Sequence, residues 1–321
     1  MRGLLSRMPT PRRIEIIVNA RSGTPGKDAA AERAAGYLRE RGAEVEVRLV
    51  SSAHDLHDAA ARAAAGDADL VVAGGGDGTI AAIAGSLLDS PKTFGVLPLG
   101  TFNYFARRLG VPLDLDAALD VIATAPEVRS ISVGDVNGRM FLNNASIGLY
   151  PAVLKQRETT YRRIGRSQAA AYLSVAAVMV RPPGFVNLEL TADGTDIVRR
   201  TPLLFVGVNP HQLATFGIPG YECVKEGRLA AYITRPLGTI QMWRLGLRGL
   251  LRGLHGTDAI EVVCAREIVV HVSRRRVRVA MDGEIARLRG PLRFRIHEDA
   301  LRVVTASTPS PDDAAAAAGG A

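Results

Sequence analysis

The residues of this 321-residue chain best suited to chemistry fall in three short loops. The second loop is the most telling. An apolar run, Val71-Val72-Ala73, leads into Gly74-Gly75-Gly76-Asp77-Gly78-Thr79, and a helical pattern starts directly after it. Glycine lets backbone amides approach an anion closely, and a helix N-terminus adds donors and a favourable dipole. A carboxylate in such a loop repels a bare phosphate, so Asp77 makes sense beside a metal ion or a metal-bound triphosphate. The pattern points to a nucleotide site and to phosphoryl transfer.

The first loop, Asn19-Ala20-Arg21-Ser22-Gly23-Thr24-Pro25-Gly26-Lys27, has small residues able to wrap a phosphate tail. It lacks the spacing of a Walker A loop, and a plain turn explains it equally well. In the third, Leu97-Pro98-Leu99-Gly100-Thr101-Phe102-Asn103, Thr101 and Asn103 offer a hydroxyl and an amide at a helix start, where simple capping is the alternative. A dinucleotide fingerprint fits Gly76-Asp77-Gly78-Thr79-Ile80-Ala81 only loosely. It requires an acidic residue at the end of the next strand, and that strand ends in Pro98-Leu99-Gly100-Thr101.

The elements that must carry these loops read as βαβα. Strand-like runs at Ile14–Val18, Val45–Val50, Leu70–Ala73 and Phe94–Leu97 alternate with Ala-rich helical segments at Asp28–Arg41, His54–Ala65 and Ile80–Leu88. The alternation implies a parallel sheet covered on both faces, whose ligands bind beyond the carboxyl ends of the strands. After about residue 125 the texture changes to short β runs: Val128–Val133, Met140–Asn143, Val186–Leu190, Leu203–Val208, Leu229–Ile233, Ile260–Val263, Ile268–Val270, Val277–Ala280, Leu292–Ile296 and Leu301–Val304. They predict an antiparallel sandwich, interrupted by helical inserts near Tyr150–Val180 and Thr239–His255. The domains expected are 12–125 (α/β) and 126–305 (β-sandwich), with 306–321, rich in Ser, Pro, Ala and Gly, as a disordered tail.

Hydrophobic residues at 47% provide for a substantial core. Forty Lys and Arg against 32 Asp and Glu leave a charge of +8, which favours acidic partners such as nucleotides or an anionic membrane surface. Nucleic acid is not expected, because aromatics are only 5% and supply no stacking platform. No apolar run reaches the roughly 20 residues that span a bilayer. Two cysteines, Cys223 and Cys264, are too few for a disulfide framework and suit a reducing cytosol. Zinc-ligand spacings and a Gly-x-Ser-x-Gly elbow are absent.

Taken in order, Asn19–Gly23, Gly75–Thr79 and Leu97–Asn103 resemble the three signature loops of the diacylglycerol kinase catalytic domain family. The resemblance continues through Asn143-Asn144-Ala145-Ser146-Ile147-Gly148, Val206-Gly207-Val208-Asn209, Lys225-Glu226-Gly227-Arg228-Leu229 and Met281-Asp282-Gly283-Glu284, covering about residues 12–305. It implies a phosphofructokinase-like α/β nucleotide domain, a C-terminal β-sandwich and an active site in the cleft between them. It further implies that ATP is held by Asn19, Ala20, Arg21, Ser22, Gly23, Gly75, Gly76, Asp77, Gly78, Thr79, Gly100, Thr101 and Asn103, with Ser51 or Ser52 after the second strand. Glu284 matches the family's general base, with Asp282 beside it. Without the resemblance, Asp282-Gly283 reads as a hairpin turn. A structural Mg2+ is implied at Glu226, with the carbonyls of Cys223 and Arg228. Two residues depart from the family pattern: Tyr104 stands where an Asp is common, and Glu226 where an Asp holds the metal, a site of tight octahedral demand.

The activity implied is transfer of the γ-phosphoryl group of ATP to the hydroxyl of diacylglycerol or a related lipid alcohol, with Asp77 organising the magnesium on the phosphates. The alternatives are an NAD kinase-like enzyme, which shares the Asp-bearing glycine loop, and a lipid- or nucleotide-binding regulator with impaired catalysis. The expected setting is cytoplasmic and peripherally membrane-associated, with a homodimer left open. Two segments suit a lipid surface. Thr239–His255 carries Arg244, Arg248 and Arg252 at every fourth position beside Trp243 and several leucines. Lys155–Arg181 is basic in its first half and apolar over Ala169–Val180. For each, a packed helix with solvated cations is an equally good explanation.

Overall fold

The computed structural model describes residues 13–20, 26–88, 90–101, 103–125, 127–165, 167–180, 184–210, 213, 220–236, 238, 241, 259–272 and 275–306. The chain divides into two compact units, one running through Val133 and resuming at His297, the other Gly134–Ile296.

The first unit contains β1 (Arg13–Asn19), α1 (Lys27–Arg39), β2 (Glu44–Val50), α2 (Ala53–Ala65), β3 (Leu70–Gly75), α3 (Asp77–Ser86), β4 (Thr93–Pro98), α4 (Tyr104–Arg108) and α5 (Leu115–Thr124). Its strands pair in parallel in the order β2-β1-β3-β4. β3 and β4 are buried along their whole length, as expected of strands covered on both faces, whereas the edge strand β2 carries a mixed pattern. Small residues let the helices lie close to the sheet. α1 buries Ala31, Ala34, Ala35 and Leu38, and α2 buries Leu56, Ala59, Ala60 and Ala63, each set on one helical stripe. Helix α5 is not among the elements expected from the sequence, although Asp114 marks its start by accepting the Ala117 amide at 3.0 Å.

In the chain between the units lies β5 (Glu127–Val136), and the return is β16 (Leu292–Thr305). The second unit adds β6 (Arg139–Phe141), β7 (Asn144–Gly148), α6 (Leu149–Ile164), α7 (Gln168–Val180), β8 (Val186–Ala192), β9 (Thr195–Thr201), β10 (Leu203–Gly207), α8 (Tyr221–Lys225), β11 (Leu229–Thr234), β12 (Ile260–Ala265), β13 (Glu267–Val272), β14 (Arg276–Met281) and β15 (Glu284–Arg289). Six strands form an antiparallel sheet in the order β12-β11-β10-β7-β14-β15. The start of β16, β13, β8 and β9 pair antiparallel in a second layer. Ala145, Ile147, Leu204, Val206 and Val279 from the first layer meet Leu188, Leu190, Ile268, Val270 and Phe294 from the second, the sandwich core that alternating strands predict. The α/β-plus-sandwich fold class is therefore observed.

Three strands escaped the sequence reading. β7 is made mostly of small and polar residues, β9 is a mostly polar edge strand, and β15 mixes charged and apolar residues directly after a turn. Conversely, the two strands expected at Leu292–Ile296 and Leu301–Val304 are one strand, carried through the polar stretch His297–Asp299, of which Glu298 and Asp299 are exposed. Helix Thr239–His255 lies outside the described residues apart from Gln241.

The cysteines require a correction. Cys223 of α8 and Cys264 of β12 are bonded to each other, with Cα atoms 5.5 Å apart, so their small number does not mean free thiols or a reducing compartment. The bond fastens an edge strand to the helix that precedes its neighbour β11, within a small cluster of Phe205, Leu213, Val224, Ala230 and Tyr232. It closes a loop across a sequence separation of 41 residues. Reduction is expected to destabilise the chain by about 2–4 kcal/mol. The check is the urea midpoint of the double variant Cys223→Ser/Cys264→Ser against the oxidised parent. Equal midpoints would show that the bond adds no stability.

Candidate active site

In the first unit β1 leads to β2 on one side and β3 leads to β4 on the other. The strand order thus reverses between β1 and β3, which is where an open parallel sheet places its ligand. Asn19, last in β1, donates from Nδ2 to Thr79 Oγ1 across this point at 3.4 Å. Ala20 is anchored beside β2 by its backbone N–H, which donates a hydrogen bond to the Val50 carbonyl at 3.0 Å. Arg21, Ser22 and Gly23 lie outside the described residues.

The second and third loops meet backbone against backbone. A Cβ at Gly100 would lie 2.5 Å from Gly76 Cα and 2.7 Å from Asn103 Oδ1, so no larger residue fits there. One at Gly75 would lie 2.8 Å from Thr79 Cβ. Gly76 caps α3 without a side chain, so Asp77, Gly78 and Thr79 present the first-turn amides of a ten-residue helix. Asp77 links the two loops: its Oδ1 accepts the Phe105 amide at 2.9 Å and its Oδ2 the Tyr104 amide at 3.2 Å. The substitution at Tyr104 leaves this link intact, because the Asp77 contact uses the backbone of residue 104.

Asn103 is neither a simple cap nor a free donor. It adopts a left-handed φ of 52°, and its amide folds back on its own loop. Oδ1 accepts the Gly100 amide at 3.0 Å, while Nδ2 donates to the Pro98 and Gly100 carbonyls at 3.2 and 3.1 Å. Thr101 is exposed beside it. Ser52 is the N-cap of α2, accepting the Asp55 amide at 3.1 Å, whereas Ser51 is exposed at the end of β2.

Lys27 was not singled out in the sequence, yet it is buried at 3% exposure and its Nζ lies 3.5 Å from the Asn19 carbonyl. A buried ammonium at the end of β1 adds positive charge where the glycine loops converge. A lysine closing a glycine loop was the available signal.

In the second unit Asp282 and Gly283, with φ of 46° and 89°, form the two-residue turn between β14 and β15, so the hairpin reading of this motif is right about the local backbone. The turn is tied down from below. The Asp282 carboxylate is buried and accepts the amides of Leu142, Asn143 and Asn144 at 2.6, 2.8 and 3.1 Å. The Asp282 amide donates to the Asn144 carbonyl at 3.0 Å. Asn209 Nδ2 donates to Asn143 Oδ1 at 2.6 Å, and both side chains are buried. The two asparagine motifs thus form the footing of the turn, a role that no local pattern of their residues reveals. Glu284, first in β15, is exposed, and among the described residues no hydrogen bond or ion pair engages its carboxylate.

The residues implied for a structural magnesium do not fit one. The Glu226 carboxylate is paired with the Arg228 guanidinium, and the Cys223 carbonyl accepts the Arg228 amide at 2.8 Å as α8 ends. A cation beside the single carboxylate opposes a dication there. Among the described residues no group of three His, Cys, Asp or Glu side chains could hold a metal.

Residues 13–136 match the family model described as the diacylglycerol kinase catalytic domain. A Pseudomonas syringae pv. syringae protein named "Probable lipid kinase YegS-like" is 31% identical over 302 residues, covering 92% of this chain and 93% of its own. The chain belongs to the diacylglycerol kinase catalytic domain family. A Bacillus subtilis protein named "Diacylglycerol kinase" is similarly related to this family member, at 29% identity over 85% of this chain and 90% of its own. The fold agrees with the crystal structure of a diacylglycerol kinase from Bacillus anthracis str. Sterne, with a TM-score of 0.70 over 94% of this chain and 99% of that one, at 20% identity.

Proposed function

We propose that this protein is a lipid kinase that transfers the γ-phosphoryl group of ATP to the hydroxyl of diacylglycerol or a related lipid alcohol at an anionic membrane surface. The observation that carries the reading is the glycine-lined meeting of two loops beside Asp77, after β3 and β4 and next to the β1–β3 switch point of a parallel sheet, in a member of this family. The first-turn amides of α3 suit phosphate oxygens. Lys27 and Asn19 add a charge and an amide at the end of β1. Asp77, whose carboxylate joins the two loops, is proposed to organise the magnesium that accompanies ATP, and that ion offsets charge on the phosphates. Glu284 is the proposed general base for the attacking hydroxyl. Its proton transfer must come late, as charge develops on an alcohol far less acidic than a carboxylic acid. Asp282 is proposed to position Glu284 rather than to touch substrate. The working division of the chain is a nucleotide domain at 12–125 and a lipid-kinase sandwich at 126–305.

Gly100→Ala probes the nucleotide half of this reading. Its methyl group would push Gly76 and Asn103 away from their places, and kcat/KM for ATP is expected to fall about tenfold to a hundredfold. Parental kcat/KM in steady-state kinetics would remove the loop contact from the account. The acceptor is identified by following labelled γ-phosphate into a panel of lipid alcohols; a panel in which none is labelled would sink the proposal.

A further inference from the structure

Helix α7 is 13 residues long and carries no charge, and among the described residues its burial follows the stripe of Ala170, Ser174 and Val178, with Met179 buried near its C-terminal end. Ala170, Ser174, Val178 and Met179 are buried, and Ser174 returns its hydroxyl to the Ala170 carbonyl at 2.7 Å. The opposite face leaves Tyr172 and Leu173 each 56% exposed and Val180 65% exposed, with Val175 exposed to one side. Isolated exposed apolar residues are ordinary, but several large ones along one uncharged helix are not.

The neighbouring helix α6, packed against α7, has the complementary character. It holds Lys155, Arg157, Arg162 and Arg163 against the single acid Glu158, which Arg162 engages. Lys155 and Arg163 are exposed, and among the described residues no acid pairs with either. Ile164, at the end of α6, is 59% exposed beside these cations. An uncharged helix with a bare apolar face, flanked by a basic one, suits the boundary between lipid headgroups and acyl chains. At 13 residues α7 is too short to cross a bilayer, which takes roughly 20, so it would lie in the interface plane. A second copy of the chain fits less well, since pairing this face about a two-fold axis would bring the cations of both α6 helices together.

We infer that the α6–α7 face docks the protein on anionic membranes, with Tyr172, Leu173 and Val180 entering the interface and Lys155 and Arg163 meeting acidic headgroups. The inference rests on the lipid-kinase reading for its purpose and deepens it by naming the surface that meets the bilayer. The test is flotation of the full chain with vesicles of phosphatidylcholine alone or mixed with phosphatidylglycerol. The parent is expected to float with the anionic vesicles. Tyr172→Ser/Leu173→Ser/Val180→Ser is expected to bind them about tenfold or more weakly. Lys155→Gln/Arg163→Gln should lose about tenfold or more of the preference for anionic over neutral vesicles, along with much of its salt sensitivity. Transfer of labelled phosphate to a short-chain diacylglycerol dispersed below its aggregation limit should stay at the parental rate in both variants. Absent flotation of the parent would overturn the inference, as would parental binding by either variant. Variants that convert a dimer to a monomer in sedimentation while still floating would assign this face to a second copy instead. Flotation without transfer to any of a panel of dispersed lipid alcohols would leave the docking surface standing and sink the kinase reading.

Discussion

Glu284→Gln is expected to lower turnover by about 10²–10⁴-fold while leaving the affinity for ATP nearly unchanged. The replacement keeps the size and the hydrogen-bonding shape of the side chain but removes its capacity to accept a proton. Glu284 is exposed at the start of β15, and none of the hydrogen bonds that hold the turn uses its carboxylate, so the fold does not depend on its charge. The effect should therefore appear in kcat rather than in nucleotide binding or melting temperature. Single-turnover transfer measured beside calorimetric titration with a non-hydrolysable ATP analogue separates the two. A variant that turns over at the parental rate would remove Glu284 from the chemistry.

The second large effect is expected on stability. Asp282→Ala removes a buried carboxylate from three backbone amides, at Leu142, Asn143 and Asn144. Stranded buried donors cost about 1–3 kcal/mol each when no water replaces the lost acceptor, so a loss of at least about 3 kcal/mol is expected in urea unfolding. The φ of 46° adds to the penalty for alanine. Asp282→Asn should cost distinctly less, because asparagine tolerates the left-handed turn and its carbonyl oxygen still accepts. A positioning role makes a further demand: in Asp282→Asn, kcat should fall while KM for ATP holds, since the nucleotide loops belong to the other unit. An alanine variant as stable as the parent would remove the footing, and parental kcat in the asparagine variant would remove the positioning role.

Much of this was legible in the sequence because the first unit is built from local signals. Apolar runs such as Leu70–Ala73 end in glycine loops, and Ala-rich segments with single helical stripes follow them, so the parallel sheet and its loops could be read in order. The roles within the loops were less legible. Asp77 stood out as a carboxylate among glycines, but its bonds to the Tyr104 and Phe105 amides join residues 27 and 28 positions apart, which no local pattern encodes. Asn103 read as a cap and proved to be a brace, because its left-handed backbone turns the amide inward. The second unit resisted more. β7 is Asn-Ala-Ser-Ile-Gly, whose polar members face away from the sandwich core, so periodicity alone does not mark it as a strand. The footing of Asp282 spans about 140 residues of sequence and became visible only once β14 paired with β7. The Cys223–Cys264 bond was misjudged because counting cysteines says nothing about which two strands or helices come together.

The most direct test of the central claim is transfer of labelled γ-phosphate from magnesium-ATP by the intact chain, run in parallel with diacylglycerol in mixed micelles, with NAD and with neither. Label appearing in the lipid phase only when diacylglycerol or a related lipid alcohol is present is the predicted result. Label on NAD, or release of phosphate to water at the same rate with and without lipid, would contradict it.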